Sequence, residues 1–504
     1  MKIVYRLFTC TLISVWAVCH GCNNYPDAFN ISVNPAAMYP DYTNQTIPVN
    51  IAPLNFMIVD AEKIIANYHG NHKSLSVRGK ERIDVPIGKW KDFLWKNVGD
   101  TVWLEIFVKR SQRWIQYPQT WFFISPDSID SYVAYRSIPP GFNEWNHMGL
   151  YQRNLETFAE APIITNASTK KNCMNCHSFC SNDPNMMVFH MRQKYSGTYV
   201  LVNHTLSKLN TKTEHTLSNC VYPYWHPSGR YIAFSTNATA QSLHGTHNMN
   251  IEVYDSASDI VILDVERNEL FTDSLISRQN VMETYPAFSP DGKKLFFCIS
   301  ETPNDLPKEY DRIKYSLCSI DFDPTIKRFG TKIDTLISSF VTNKSVTFAH
   351  PSPDGRYILC TLSDYGCFPS WNDESDIYLF DLSTNELTCL QAINSPYAEG
   401  FTSWSSNSRW ITFSSRREDR QYSRLYFARI DMFGNSSKPF LLPQRNPKSN
   451  LMNLNSFNKP ELINGRVTLK PAEIVKVAKN QSIQVIFTGK KDRRYYETMR
   501  LDLN

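Results

Sequence analysis

A chain of 504 residues exceeds one ordinary hydrophobic core, so two or three units are expected unless one is a propeller of about 300 residues. Aromatic residues make up 13% and apolar residues 42%, which excludes a natively unfolded chain. The net charge of +5 is a small difference between 53 basic and 48 acidic residues spread without a basic run, so nucleic-acid binding has no support.

In chain order, the first element is a leader. Lys2 and Arg6 precede a short apolar run over residues 7–18, which Thr9, Thr11 and Ser14 interrupt. A spanning helix needs about 20 apolar residues, so a secretory signal is expected rather than a permanent span. Gly21 ahead of Cys22 resembles a bacterial lipoprotein signal over residues 1–22, with Cys22 as the lipidated residue, although Cys19 stands where such signals usually carry Leu. Asn23 and Asn24 follow in place of an acidic run. The expected location is the periplasm, lipid-anchored to the outer membrane, with the cell surface or the soluble periplasm as alternatives.

Residues 23–134 contain RIDVPIGKW, TVWLEIFVKR and TWFFISPDSI, which cluster β-formers and predict a small β-sandwich-like domain. A polar, aromatic-rich connector is expected over residues 135–184. Beyond it, YPYWHPSGRYIAFST (222–236), YPAFSPDGKKLFFCIS (285–300), FAHPSPDGRYILCTLS (348–363) and FTSWSSNSRWITFSS (401–415) share one grammar: an aromatic residue, a tight turn, a basic residue and a strand. Gly229, Gly292 and Gly355 are spaced at 63 and 63, and such a period points to radial repetition. The turns resemble those of TolB-like β-propellers. That resemblance implies an all-β fold with a propeller over residues 185–504, six blades being the best fit to the strands. Asp291 and Asp354 in these turns are expected to cap them rather than bind calcium.

The connector carries KKNCMNCHSFC, in which Cys173, Cys176 and His177 match the c-type haem attachment pattern. Each thiol can add to a haem vinyl group, and the adjacent imidazole can ligate iron, so one covalent haem c is expected. Candidates for a sixth ligand are His190 first and Met148 second. Arg192 and Arg153 are candidate propionate contacts. A redox dithiol, a disulfide, or a zinc site using Cys180 are the plainer alternatives. Motif and propeller together resemble exported Bacteroidota-type proteins that join one Cys-X-X-Cys-His site to a TolB-like propeller.

Seven cysteines remain beyond the leader and the motif, an odd number that cannot pair completely. No nucleophile elbow, phosphate loop or dinucleotide fingerprint is present. The expected function is electron transfer, with the propeller docking a redox or envelope protein partner and the lipid holding the membrane. The first alternative is a propeller that binds an envelope protein or glycan, with a structural Cys/His site. The second is a peroxidase-like or gas-binding haem protein. Electron transfer or binding is expected over catalysis.

Overall fold

The computed structural model describes residues 25–139, 147–243 and 251–488, so the expected leader with Cys22 lies outside the described residues. Among these residues the chain is almost wholly β, and six antiparallel sheets succeed one another around an axis. In chain order the inner strands are Met174–Phe179 (blade 2), Val221–Trp225 (blade 3), Val281–Phe288 (blade 4), Ser345–Pro351 (blade 5) and Glu399–Trp404 (blade 6). Each starts a four-strand meander in which neighbouring strands pair antiparallel.

Blade 1 is assembled differently. Its three outer strands are Tyr132–Ile138, Gly149–Asn154 and Glu160–Thr165, and its inner strand, Ser456–Ile463, returns from near the C-terminus. Each inner strand touches the next, and Ser456–Ile463 touches both blade 6 and blade 2, so the circle of six closes. The fold is therefore a six-bladed β-propeller. Residues 135–184 are not a connector: they hold the outer strands of blade 1 and the inner strand of blade 2. The expected boundary at residue 185 moves to the start of Tyr132–Ile138, because a blade whose inner strand comes from 300 residues downstream has no local partner to reveal it.

The second strands of blades 5 and 6, Tyr357–Ser363 and Trp410–Ser415, are buried at every position. Neighbouring blades cover both of their faces, which explains runs such as YILCTLS and WITFSS in place of polar–apolar alternation. At the turns Gly229, Gly292 and Gly355 adopt φ near +70°, and Ser408 takes φ 59° in the fourth. At Gly292 a side chain is also excluded by space, since a Cβ would lie 2.2 Å from Nε2 of His226. Asp291 and Asp354 accept hydrogen bonds from Ser289 and Ser352, 2.6 Å each, in keeping with capping.

The N-terminal unit is a six-stranded sheet, with Arg113–Ser125 and Thr101–Arg110 at its centre, beside a three-stranded ribbon and a helix. The expected strand in RIDVPIGKW ends at Ile83, and Ile87–Lys96 is helical. Pro86 sets the entry angle, and Trp90, Phe93 and Leu94 recur at i, i+3 and i+4 to form one buried face. Trp90 and Phe93 meet Tyr68 of the sheet at 5.6 and 5.9 Å between ring centroids. This unit shares a core with blade 6 through Trp410, Phe427 and Phe440, and the Trp410 indole donates to the Asp127 carbonyl at 2.9 Å.

The chain ends by leaving the axis. Helix Pro471–Ala478 leads to Ile483–Gln484, which adds a parallel edge strand to blade 2, and to Ile486–Phe487, which does the same for blade 3. Both outer edges are thereby covered.

Candidate functional site

Every inner strand carries a bulge in which two residues oppose one on its neighbour. The pairs are Lys459–Pro460, Cys176–His177, Tyr222–Pro223, Tyr285–Pro286, Phe348–Ala349 and Phe401–Thr402 in blades 1 to 6. The first residue of each pair has φ between 50° and 53°. A bulge re-aims a side chain and adds twist, and repeating it six times builds a ring of side chains across the propeller. Tyr222 and Tyr285 lie 4.6 Å apart by ring centroids, Tyr285 and Phe348 4.1 Å, and Phe348 and Phe401 4.7 Å. Four blades thus give aromatics to an axial plug, and Cys176 and Lys459 fill the two remaining places.

This identifies CHSFCSN as a further, diverged copy of the blade repeat. CHSFCSN aligns with FTSWSSN of blade 6, and Cys180 takes the turn position held by His226, Ser289, Ser352 and Ser405. The turn is one residue longer: Cys180 N–H bonds the Met186 carbonyl, six residues on, where the other four span five.

Cys173 and Cys176 are partly exposed, and both are free thiols. His177 is 1% exposed, and neither of its ring nitrogens has a hydrogen-bond partner. Burial, then the charges of Lys459 and Arg136, push its pKa well below the usual imidazole value, so the ring is neutral. A neutral imidazole with free nitrogens beside two accessible thiols is a donor set that fits covalent haem: Cys173 and Cys176 would hold the vinyl carbons and His177 the iron.

The surrounding candidates separate. Backbone groups of Ala134 in blade 1 face His177. His190 instead lies 5.8 Å from the Phe234 ring of blade 3, with Nδ1 on Thr198 at 3.1 Å. The two histidines therefore stand on opposite faces of blade 2, and the structure does not bring His190 to His177. Met148 is on the blade 1 side, where its sulfur accepts the Met174 N–H at 3.2 Å. Arg192 is beside the motif, its backbone N–H bonding the Cys173 carbonyl at 2.9 Å.

Arg153 is not near the motif. Its guanidinium donates to the Phe158 and Pro443 carbonyls, 2.9 Å each, in the core between blades 1 and 6. The arginine that sequence reasoning missed is Arg136, whose field reaches both thiols. Cys180 lies toward the far end of the strand, 3.6 Å from the His226 carbonyl, and among the described residues no group of three or more His, Cys, Asp and Glu could hold a metal ion. The four-ligand zinc alternative thus lacks its third cysteine.

At the opposite, turn end of the axis lies a cavity of about 250 Å³ to which all six blades contribute. Its wall is aromatic and proline-rich, with Tyr224, Trp225, Trp404, Pro290 and Pro351 among the lining residues, and Glu461 supplies a carboxylate. Glu461 accepts the Phe179 N–H at 2.8 Å and the Lys459 ammonium at 2.9 Å. Burial raises its pKa, and Lys459 partly offsets that. Lys459 also donates to the His177 carbonyl, so one side chain joins the cavity to the motif strand. His350 faces the same space, its pKa lowered to about 4 by burial and by Lys459.

Fold and site together define a six-bladed propeller with a Cys/His bulge at one end of its axis and an aromatic funnel at the other. Among solved structures it is similar to TolB from Acinetobacter baumannii (11% identity, 75% of this chain and 85% of that one, TM-score 0.43). It is also similar to the periplasmic gluconolactonase of Pseudomonas aeruginosa (10%, 62% and 96%, TM-score 0.34) and to a DUF4784 family protein from Bacteroides caccae (10%, 73% and 98%, TM-score 0.30). No protein-family model and no curated protein sequence matches the chain.

Proposed function

We propose that this is a propeller binding protein that takes a segment of a partner protein into the axial funnel. The carrying observation is the cavity itself: six blades converge on a space that mixes aromatic and proline walls with serines, Asn182 and a buried carboxylate, a composition that can anchor an inserted side chain or chain end. At about 250 Å³ it suits one or two side chains rather than a large cofactor. The leader sequence supports an exported, lipid-anchored protein, which makes an envelope protein the expected partner. Among the described residues no helix is long and apolar enough to cross a membrane.

The test places a photo-crosslinking residue at Pro353 on the funnel wall, and separately at Lys332 on the outer strand of blade 4, in cells that express the chain. A discrete crosslinked protein from Pro353 alone, lost when Trp404→Arg fills the funnel, supports the reading. Equal crosslinking from both positions, or products unaffected by Trp404→Arg, refutes it.

A second reading, monohaem electron transfer, rests on the unpartnered nitrogens of His177 beside two accessible thiols. Haem would supply a one-electron couple there. The chain's part would be to attach it through Cys173 and Cys176 and to exclude water from His177. Protein from a host with haem-maturation machinery should carry a haem that survives denaturing electrophoresis, and Cys173→Ala/Cys176→Ala should lose it. Colourless full-length protein from that host rules this reading out.

A further inference from the structure

The N-terminal sheet has two faces with different neighbours. Along its strands Lys63–His69 and Thr101–Arg110, the side chains of Ile64, Tyr68, Leu104 and Ile106 enter the core shared with blade 6. Alternation sends Ile65, Asn67, His69, Trp103, Glu105 and Phe107 to the other face, away from the propeller. Trp121 stands opposite Trp103 and Gln116 opposite Phe107, so Arg113–Ser125 extends the same outer face. Across it lies the start of the described chain. Tyr25 and Phe29 meet the Phe107 ring at 5.7 and 5.1 Å between centroids, and Ile31 pairs with Gln116. Phe107 is buried beneath them, but Tyr25, Phe29 and Trp103 stay exposed, and Ile31 and Val33 are 76% and 90% exposed.

Single exposed apolar residues are ordinary, but a group of them on one sheet face calls for a covering surface. The charges on this face say which kind. Lys63 stands opposite Lys109, and Arg78 opposite Ile65, whereas Glu105 is buried and accepts from Gln116 at 2.7 Å, so the complementary surface is anionic. Exposed Tyr and Trp rings beside lysines suit the headgroup layer of a bilayer, where the rings lie among the headgroups and the ammonium groups meet phosphates. The position of Cys22 agrees. It is three residues ahead of Tyr25, and three residues of chain span at most about 11 Å. An acyl chain on Cys22 would therefore enter the bilayer close to a residue packed on this face, with no length of linker to let the face stand off.

We propose that the outer face of the N-terminal sheet is a membrane-docking surface, in which Tyr25, Phe29, Ile31, Val33 and Trp103 enter the headgroup layer of an anionic bilayer and Lys63 and Lys109 meet its phosphates. The proposal rests on the lipid-anchored reading for the nearness of the bilayer, and it goes beyond that reading by fixing which side of the molecule faces the membrane. The propeller, which shares a core with the opposite face of the sheet, is then held on the side away from the lipid.

The experiment uses the full chain, processed in an exporting bacterial host, and mass spectrometry of its N-terminal peptide first reads whether Cys22 is acylated. Acylated protein is reconstituted into vesicles of phosphatidylcholine and phosphatidylglycerol whose acyl chains carry bromine, and quenching of tryptophan fluorescence is measured. Quenching that falls by about half or more in Trp103→Phe, and is unchanged in Trp371→Phe on a loop of blade 5, supports the docking face. Acylated protein in which Trp103→Phe leaves the quenching unchanged overturns it. An unmodified Cys22 overturns the anchor reading alone, and docking is then read by cosedimentation of that chain with the same vesicles. Salt-sensitive cosedimentation, weakened about fivefold or more in Trp103→Ser and in Ile31→Ser, supports the face. Cosedimentation no greater than with phosphatidylcholine alone overturns it. A soluble oligosaccharide, or a second copy of the chain, that shields Trp103 from aqueous acrylamide where vesicles do not assigns the face to that occupant and likewise overturns the proposal.

Discussion

Blade 2 and blades 3 to 6 share one backbone but put different chemistry on it. In blades 3 to 6 the bulge presents Tyr or Phe to the axis and is followed by Pro, Ala or Thr, so the centre is packed ring on ring. In blade 2 the same two positions are Cys176 and His177, a small thiol and a buried imidazole without a hydrogen-bond partner. A repeat that tolerates Thr402 or Ala349 has no packing reason to hold a histidine there.

The largest expected effect tests the packed side. Phe348 is 6% exposed and contacts Tyr285 and Phe401, so Phe348→Ala should cost about 3–5 kcal/mol through lost burial, a cavity and broken ring contacts. Denaturant unfolding with an unchanged m-value measures this. A loss below about 1 kcal/mol would mean that the plug is not the centre of the propeller's stability.

The next effect compares the two ends of the axis by pH. His350 has a folded pKa lowered to about 4, whereas its unfolded value is near 6.5. Between those values the unfolded chain binds a proton that the folded chain does not. The stability present above pH 6.5 is therefore lost as pH falls toward 4, by about 1.4 kcal/mol per pH unit for one proton. His190, lowered to about 3, acts in the same direction and further into acid. Glu283, raised to about 8 by burial, acts oppositely, since its stabilisation is lost as pH rises from about 4.5 toward 8. In His350→Gln the acid limb between pH 6.5 and 4 should flatten by one proton. An unchanged slope would place the His350 ring in solvent rather than in the funnel.

A smaller effect concerns His177. Replacing it with threonine, the residue blade 6 uses at that position, removes two unsatisfied buried nitrogens and should stabilise the haem-free chain by about 1–2 kcal/mol. Destabilisation of that size would show that the imidazole is a strut. A gain in stability accompanied by loss of any bound haem is the trade expected of a functional residue.

The sequence is legible where a feature is local and opaque where it depends on closure. Blades 3 to 6 were readable because their turns repeat with the glycines Gly229, Gly292 and Gly355 or with Ser408 in their place, and with an aromatic ahead of each. The inner strand of blade 2 escaped because Cys176 replaces that aromatic and its turn is longer, so the haem-like spacing was the stronger pattern. Blade 1 escaped because Ser456–Ile463 finds its partner 320 residues away, and no periodicity records such a pairing. The helix Ile87–Lys96 was masked by β-formers just before it, though Trp90, Phe93 and Leu94 carry its period. At the site, the motif residues were legible, but the arginine beside them was not. Arg153 and Arg136 look alike in sequence, and only the fold sends one into the core between blades 1 and 6 and the other beside the motif.

The smallest effect bears most directly on the comparison. Cys176 occupies an axial position without the ring that its counterparts use, so it contributes little of the buried area that holds Phe348 or Tyr285 in place. Its φ of 53° lies within the 50–53° that all six bulges adopt, which shows that the backbone there is set by the repeat and not by the thiol. Cys176→Ala removes one partly exposed sulfur and should change the stability of the haem-free protein by less than about 1 kcal/mol. Combined with Phe348→Ala, it should add to that loss within about 0.5 kcal/mol, because the two side chains come from opposite blades and Phe348 packs on the rings of Tyr285 and Phe401. A single cost near that of Phe348→Ala would make Cys176 a packing residue like its counterparts, and strong coupling would make it a member of the plug. A cost near zero leaves the thiol free for chemistry, at one of the two blades where the ring of aromatics is open.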